Sequence, residues 1–182
     1  MNLNFDPLKK YSGILVHPSS LPGGSYCGTF GKSVKDWINI LSIYKINTWQ
    51  FLPLSPTDSM GSPYSSPSSF AINPWFLDVD ELIESNYIKE SNQAKIFQLD
   101  VEKLDFFQFK VADQLSKLIG NLLLDSWELQ SYERKDQFYL WCKNNSWVDN
   151  FSVFMTLKEE FNFSAWWNWP EEFKYKNKLV IE

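Results

Sequence analysis

Apolar residues in the first third of the chain form two short continuous runs separated by a helical stripe. The runs are Tyr11–Val16 and Thr48–Leu52, and continuous apolar character of this kind predicts strands of a sheet covered on both faces. The stripe has apolar side chains at spacings of three and four, namely Val34, Trp37, Ile38, Leu41 and Tyr44. Ser33, with Asp36 behind it, predicts the N-cap of this helix, which we expect to end near Lys45.

Strand, helix and strand follow one another within about forty residues, which predicts one βαβ unit of an α/β fold. We therefore expect two parallel strands joined by a right-handed crossover. After Pro74 the apolar spacing becomes helical and predicts no further clear strand. The expected helices are Asp78–Glu84, Leu104–Leu124, Tyr132–Lys143 and Val148–Phe161.

Two strands do not complete a covered sheet, and a closed eight-stranded α/β barrel takes about 250 residues. Two alternatives follow for a chain of 182 residues. The chain is the front piece of a larger fold, or its helices form a small partner domain that covers a minimal sheet. We favour the front piece.

Both predicted strands end in irregular loops that are rich in Pro, Ser and Gly. One starts at His17 with HPSSLPGG, and the other starts at Pro53 with PLSPTDSMGSPYSSPSS. In α/β folds, ligands bind beyond the carboxyl ends of the parallel strands. We therefore interpret the stretch Asn47–Pro74 as one side of a binding site, and a sugar is the favoured ligand.

Tyr64 lies in the middle of the second loop, next to Pro63. A tyrosine held by a proline offers a rigid aromatic platform and a hydroxyl, which suits a sugar ring. A tyrosine that packs down on the strands explains the same residues equally well. The sequence leaves these two interpretations balanced.

The single histidine, His17, has the chemistry of a catalytic base. The favoured interpretation is a histidine that supports the neighbouring loop through hydrogen bonds. Asp78 and Asp80 are predicted to be the cap and first turn of a helix, where carboxylates favour the helix dipole. No catalytic role is assigned to them or to Asp58 in the second loop.

Composition excludes several classes of function. Lys and Arg number 17 against 22 Asp and Glu, and a net charge of −5 disfavours binding to nucleic acid or to anionic membranes. Cys27 and Cys142 form no CxxC pattern, and one histidine is too few for a Cys/His zinc site. Two unpaired thiols and an N-terminus without a signal-like apolar segment favour a reduced, cytoplasmic protein.

Aromatic residues make up 18% of the chain, with 9 tryptophans, and we expect most of them in the core. Trp166, Trp167 and Trp169 form a cluster near the end of the chain. Packing at a helix junction is the favoured interpretation of this cluster, and a stacking surface is the alternative.

Three segments in the first half resemble a known family: GILVHPSSLPG at Gly13–Gly23, WQFLPLSPT at Trp49–Thr57, and GSPYSSPSSFAINP at Gly61–Pro74. They are similar to the opening of the 4-alpha-glucanotransferases, the amylomaltases or disproportionating enzymes of glycoside hydrolase family 77. Further on, WVDNFSVFMTLK at Trp147–Lys158 and the run Trp167–Pro170 resemble the helical insertion of that family. The resemblance therefore touches most of the chain in the right order.

The resemblance implies the N-terminal part of a (β/α)8 TIM-type barrel. Residues 1–76 would be the start of the catalytic barrel with its substrate loop, and residues 77–182 a helical insertion subdomain. The implied reaction transfers a segment of an α-1,4-glucan to the 4-hydroxyl of glucose or another glucan, through a retaining covalent intermediate. The implied partners are maltodextrins and glucose, without a metal, an organic cofactor, a nucleic acid or a membrane.

The resemblance also assigns site residues. Tyr64 matches the family tyrosine that stacks on the sugar next to the cleaved bond, and Ser62 and His17 are further substrate-binding candidates. The catalytic carboxylates of the family are expected beyond residue 182, so we expect this chain to be inactive alone. The family often has another tyrosine earlier in the loop, but Asp58–Gly61 has none, so the resemblance does not extend to an accessory glucan site there.

Two rival functions come from other classes. A non-catalytic glucan-binding protein would use Tyr64 and surface tryptophans to bind without turnover. A single-stranded nucleic-acid binder would also exploit aromatic stacking, but the acidic charge balance disfavours it.

Overall fold

The computed structural model describes residues 12–23, 27–58, 60–93, 96 and 109–175 of the chain. The chain divides into two compact units, residues 1–129 and residues 130–182. The boundary expected after residue 76 separates the start of a barrel from a helical insertion. The two units are defined differently, by which residues pack together, and do not test that boundary. That boundary therefore stays a prediction.

The first unit begins with the expected βαβ arrangement. Strand β1 (Gly13–Leu15) is followed by helix α1 (Lys32–Ile43) and strand β2 (Thr48–Gln50). The two strands pair in parallel, with Ile14 opposite Trp49, and the N–H of Val16 extends the ladder by donating to the carbonyl of Gln50 at 3.1 Å. The prediction of a parallel pair is confirmed, although both strands are shorter than the apolar runs that predicted them.

The prediction of a sheet covered on both faces is not confirmed within the part of the chain that the structure describes. The outer residues of each three-residue strand are exposed, and Leu15 is 60% exposed. Only the middle residues are partly covered, and the Trp49 ring meets Trp37 of α1 edge-on at 6.4 Å. An apolar run indicates that a strand suits burial, but it does not say which elements bury it.

The predicted N-cap of α1 is wrong. The helix starts one residue earlier, at Lys32, and its cap is Gly31, which makes no side-chain cap hydrogen bond. Ser33 lies buried inside the first turn. The cause is a distant residue, because the Asp78 carboxyl group occupies the space beside Gly31, where an added Cβ would lie 2.2 Å from Cγ of Asp78. A glycine is the residue that tolerates this approach.

The main core of the first unit lies between two helices, α2 (Val79–Glu84) and α3 (Phe109–Trp127). Asp78 caps α2, as predicted, by accepting a hydrogen bond from the N–H of Glu81 at 3.0 Å. The stripe predicted for the longer helix is confirmed by its buried residues, although its predicted start at residues 104–108 lies outside the described residues. The core comprises Val79, Ile88, Ile96, Leu115, Ile119 and Leu122.

The second unit contains helices α4 (Tyr132–Asn144), α5 (Trp147–Glu160) and the short α6 (Glu171–Lys174). The two longer helices confirm the predicted ranges to within one residue. Trp169 is 5% exposed, and its ring lies 5.6 Å from both Phe154 and Phe161. The packing interpretation of the tryptophan cluster is therefore confirmed for Trp169, whereas Trp166 and Trp167 are exposed. Among the residues described, no helix is long and apolar enough to cross a membrane.

Candidate functional site

His17 joins the two loops that leave the sheet. We call them the β1 loop (residues 16–31) and the β2 loop (residues 51–73). The Nε2 atom of His17 lies 3.4 Å from the carbonyl oxygen of Pro53, three residues after the end of β2. Its Nδ1 atom accepts a hydrogen bond from the N–H of Ser19 at 3.4 Å and lies 2.7 Å from the Ser19 hydroxyl. These partners assign the proton to Nε2, since a carbonyl can only accept.

The imidazole of His17 is held in its neutral form. Partial burial lowers its pKa below the ordinary value of 6.5, and the hydrogen bond to Pro53 only partly opposes this shift. The Phe76 ring packs beside it, with centroids 5.6 Å apart. These contacts confirm that His17 supports the loops, as the sequence favoured, and its part in substrate binding stays a prediction.

The far end of the β2 loop is tied back to its start. The N–H of Asn73 donates to the carbonyl of Leu54 at 2.8 Å, and the Asn73 side chain accepts from the N–H of Trp75 at 3.1 Å. The indole of Trp75 then donates to the carboxylate of Asp113 in α3 at 3.0 Å. The loop therefore stands on a fixed base whose two ends are hydrogen-bonded together.

Asp58 organises the crest of the β2 loop, by which we mean residues 60–62. Its Oδ1 atom accepts hydrogen bonds from the N–H of Met60 at 3.0 Å and the N–H of Ser62 at 3.1 Å. Its carbonyl accepts from the N–H of Gly61 at 3.0 Å, and Gly61 has a φ of 74°, which favours glycine. The hydrogen bond from the N–H of Ser62 is the largest cause that lowers the pKa of Asp58, and it favours the ionised form of this carboxyl group.

Tyr64 lies in a tight turn directly after this crest. The turn is closed by the N–H of Ser65, which donates to the carbonyl of Ser62 at 3.2 Å. Pro63 occupies the second position of the turn, where its fixed φ is favoured. The Tyr64 side chain is 75% exposed, so the alternative in which it packs down on the strands is not supported.

The serines that follow serve as loop formers, as the sequence indicated. The Ser66 hydroxyl donates to the carbonyl of Ser68 at 2.6 Å, and the Ser68 hydroxyl accepts from the N–H groups of Phe70 and Ala71 at 3.1 and 3.2 Å. Side-chain oxygens thus satisfy the backbone where no regular ladder is available.

The structure brings Ser62 and Tyr64 together in one turn and places His17 at the strand exits. Among the described contacts, none joins His17 to that turn. Sequence reasoning missed the structural role of Asp58, because only its catalytic potential was considered. An Asp followed by Gly and a Pro-containing turn is a signal that could have found it.

The site can bind a polar ring, but it offers no pair of free carboxylates. Asp58 is the single acidic residue of the β2 loop, and backbone N–H groups already occupy one of its oxygens. Within the described ranges, no group of three His, Cys, Asp or Glu side chains could hold a metal ion. An exposed aromatic ring flanked by hydroxyls suits the apolar face and polar edge of a sugar.

Curated relatives carry one common description. The chain is 34% identical over 166 residues to a 4-alpha-glucanotransferase of Streptococcus pneumoniae serotype 4, which covers 90% of this chain and 32% of the relative. It is 33% identical over 171 residues to a 4-alpha-glucanotransferase of Clostridium butyricum, which covers 92% of this chain and 34% of the relative. The chain thus spans about a third of the length of the curated relatives that it matches.

A solved structure shows the same similarity. Amylomaltase from Streptococcus agalactiae in complex with acarbose matches with a TM-score of 0.80 and 25% identity, over 95% of this chain and 37% of that chain. The family model described as 4-alpha-glucanotransferase matches residues 16–182. The chain therefore belongs to the 4-alpha-glucanotransferase family, glycoside hydrolase family 77, and the resemblance found in its sequence is confirmed.

Proposed function

We propose that this chain supplies part of the glucan-binding site of a 4-alpha-glucanotransferase. One observation carries the proposal: an exposed tyrosine, Tyr64, stands on a hydrogen-bonded turn beyond the carboxyl ends of two parallel strands. Ligands of α/β barrels bind at that end of the strands. The proposed substrates are α-1,4-glucans, with glucose or another glucan as acceptor.

The proposed reaction is a retaining double displacement. A carboxylate attacks the anomeric carbon and forms a glycosyl-enzyme while an acid protonates the leaving oxygen. The conjugate base of that acid then takes the proton of the acceptor 4-hydroxyl, whose oxygen displaces the carboxylate. We place both carboxylates beyond residue 182, where the resemblance to the family implies them, and the single carboxylate of the β2 loop, Asp58, is engaged by its own loop. This chain alone would bind a glucan without cleaving it.

Each candidate residue has a defined part in the proposal. The Tyr64 ring stacks on the apolar face of a glucose unit next to the cleaved bond, and the Ser62 hydroxyl hydrogen-bonds its polar edge. Burial lowers the pKa of His17 and favours its neutral form, which would contact a neutral sugar without the cost of burying a charge.

The domain assignment belongs to the same proposal. Residues 1–76 would form the first βαβ unit of a (β/α)8 barrel with its substrate loop, and residues 77–182 a helical insertion. We retain a cytoplasmic location as part of it, because Cys27 and Cys142 are both free.

Binding of maltoheptaose to the purified chain tests the proposal. We expect Tyr64→Ala to weaken binding about tenfold, the loss of one aromatic stacking contact of roughly 1.4 kcal/mol. Tyr132→Ala is the matched control, because Tyr132 is an equally exposed tyrosine at the start of α4. Equal affinities of the wild type and the Tyr64→Ala variant would overturn the proposal.

A transfer assay tests the second half of the proposal. The chain is incubated with maltotriose, and the products are separated by chromatography. We expect neither glucose nor longer maltodextrins to form. The appearance of either product with the purified chain alone would show that the catalytic carboxylates lie within it.

One observation favours a second candidate, a glucan-binding protein without turnover. Asp58, the single carboxylate of the β2 loop, is hydrogen-bonded to the backbone of that loop. The β2 loop therefore offers no free carboxylate for catalysis. Joining the chain to the remaining two thirds of a relative decides between them. Transfer activity supports the glucanotransferase, and binding without activity supports the alternative.

A further inference from the structure

A single carboxylate, that of Asp58, is hydrogen-bonded to the segment that leads into the turn carrying Tyr64. Both backbone N–H groups that Oδ1 of Asp58 accepts, those of Met60 and Ser62, belong to the segment leading directly into the turn. The Asp58 carbonyl accepts a third N–H, from Gly61, so this one residue holds three consecutive backbone positions.

These hydrogen bonds fix the direction of the chain where the turn begins. Ser62 is both the last residue held by Asp58 and the first residue of the turn, whose carbonyl accepts from Ser65 at 3.2 Å. None of the β2-loop residues that the structure describes belongs to a strand or a helix, so the course of the segment rests on local hydrogen bonds. A carboxylate that accepts several N–H groups is suited to this task, because charged acceptors form stronger hydrogen bonds than neutral ones.

We propose that Asp58 is a positioning residue for glucan binding, whose carboxylate pre-forms the turn that presents Tyr64 to the sugar. The inference rests on the proposed function of Tyr64. Asp58 does not touch the glucan and acts only through the turn. A turn formed before binding spares the glucan the cost of ordering it.

Binding of maltoheptaose to Asp58 variants tests this proposal. We expect Asp58→Ala to weaken binding about two- to tenfold, the range expected when binding must order a side chain and its turn. Asp58→Asn keeps a carbonyl oxygen that can accept the same two N–H groups, so it should retain most of the affinity. Asp36→Ala is the control, because it removes an exposed carboxylate of α1 whose partner is Lys32.

A double-mutant cycle separates positioning from direct contact. In a Tyr64→Ala background, Asp58→Ala should have a clearly smaller effect on affinity than in the wild type, because only the contact of Ser62 then still depends on the turn. Hydrogen exchange gives a second readout, since the amides of Met60 and Ser62 should lose protection in Asp58→Ala and keep it in Asp58→Asn.

The outcomes distinguish the two proposals. If Tyr64→Ala weakens binding and Asp58→Ala does not, the positioning role is wrong while the proposed function stands. Equal effects of Asp58→Ala with and without Tyr64 would also overturn the positioning role, since Asp58 would then act independently. Failure of the wild-type chain to bind maltoheptaose would overturn the proposed function and this inference with it.

Discussion

The two loops that leave the sheet are held in different ways. The β1 loop is fixed by burial, since Pro18, Leu21, Cys27 and Gly28 are all buried. The β2 loop is fixed by hydrogen bonds that involve the side chains of Asp58, Ser66 and Ser68, and the side chains of residues 64–66 are exposed. Side chains buried by packing are withdrawn from a ligand, whereas the exposed side chains of the β2 loop can meet one. The comparison assigns mainly support to the β1 loop, His17 aside, and recognition to the β2 loop.

The largest expected difference is the reactivity of the two thiols. Burial raises the pKa of Cys27 from 9.0 to about 12, so at neutral pH roughly a thousandfold less of it is thiolate. We expect iodoacetamide to leave Cys27 unmodified and to modify the half-buried Cys142, as measured by peptide mass spectrometry. Both should react in urea. Rapid modification of Cys27 in the folded chain would show that the β1 loop is open.

Packing in the β1 loop leaves no space for a side chain at Gly28. An added Cβ would lie 2.0 Å from the carbonyl oxygen of Pro18 and 2.8 Å from that of Leu21. We expect Gly28→Ala to lower the free energy of unfolding by about 3 kcal/mol, the upper end for overpacking, in urea denaturation.

Gly120→Ala is the control for this substitution. Gly120 lies inside α3 with nothing within 4 Å of an added Cβ, so alanine there should stabilise by about 0.5–1 kcal/mol. Similar effects of the two substitutions would contradict the view that the β1 loop is fixed by packing.

Backbone strain in the β2 loop should affect binding rather than overall stability. Gly61 has a φ of 74°, and alanine in that region costs about 1 kcal/mol, which corresponds to about fivefold in affinity for maltoheptaose. Gly23→Ala introduces the same kind of strain in the β1 loop, where φ is 103°. We expect calorimetry to show weaker binding for Gly61→Ala and unchanged affinity for Gly23→Ala. The reverse result would exchange the roles of the two loops.

The smallest expected effect concerns His17, where the two loops meet. The folded chain disfavours the charged imidazole, because burial lowers the pKa of His17 below its ordinary value of 6.5. The contribution of His17 to stability is therefore complete above pH 6.5, and it is lost as the pH falls through the lower pKa of the folded chain. The chain has one histidine, so one proton NMR signal reports its titration. A folded pKa at or above 6.5, or stability that rises on acidification through this window, would contradict the burial of this ring.

Local patterns predicted much of this structure, and distant contacts explain the failures. The spacing of Leu115, Ile119 and Leu122 identified the buried face of α3, because helical periodicity depends only on neighbouring residues. The cap of α1 was misplaced because Asp78, far along the chain, lies against Gly31. No pattern near Ser33 contains that contact.

The site shows the same division. The sequence predicted a Tyr64 held by Pro63 in a loop, and the structure supplied what the sequence left balanced, namely that Tyr64 is exposed. The exposure of Trp166 and Trp167 beside the buried Trp169 could not be predicted, because all three share one local composition. Their difference depends on which of them reaches Phe154 and Phe161.

The most direct test of the account is an NMR titration of the isotope-labelled chain with maltoheptaose. The account predicts saturable shifts in the amides of Ser62, Tyr64 and Ser65, with little change in the β1 loop beyond His17. Shifts confined to residues near Trp166 and Trp167, or no shifts at all, would contradict the claim that the β2 loop binds the glucan.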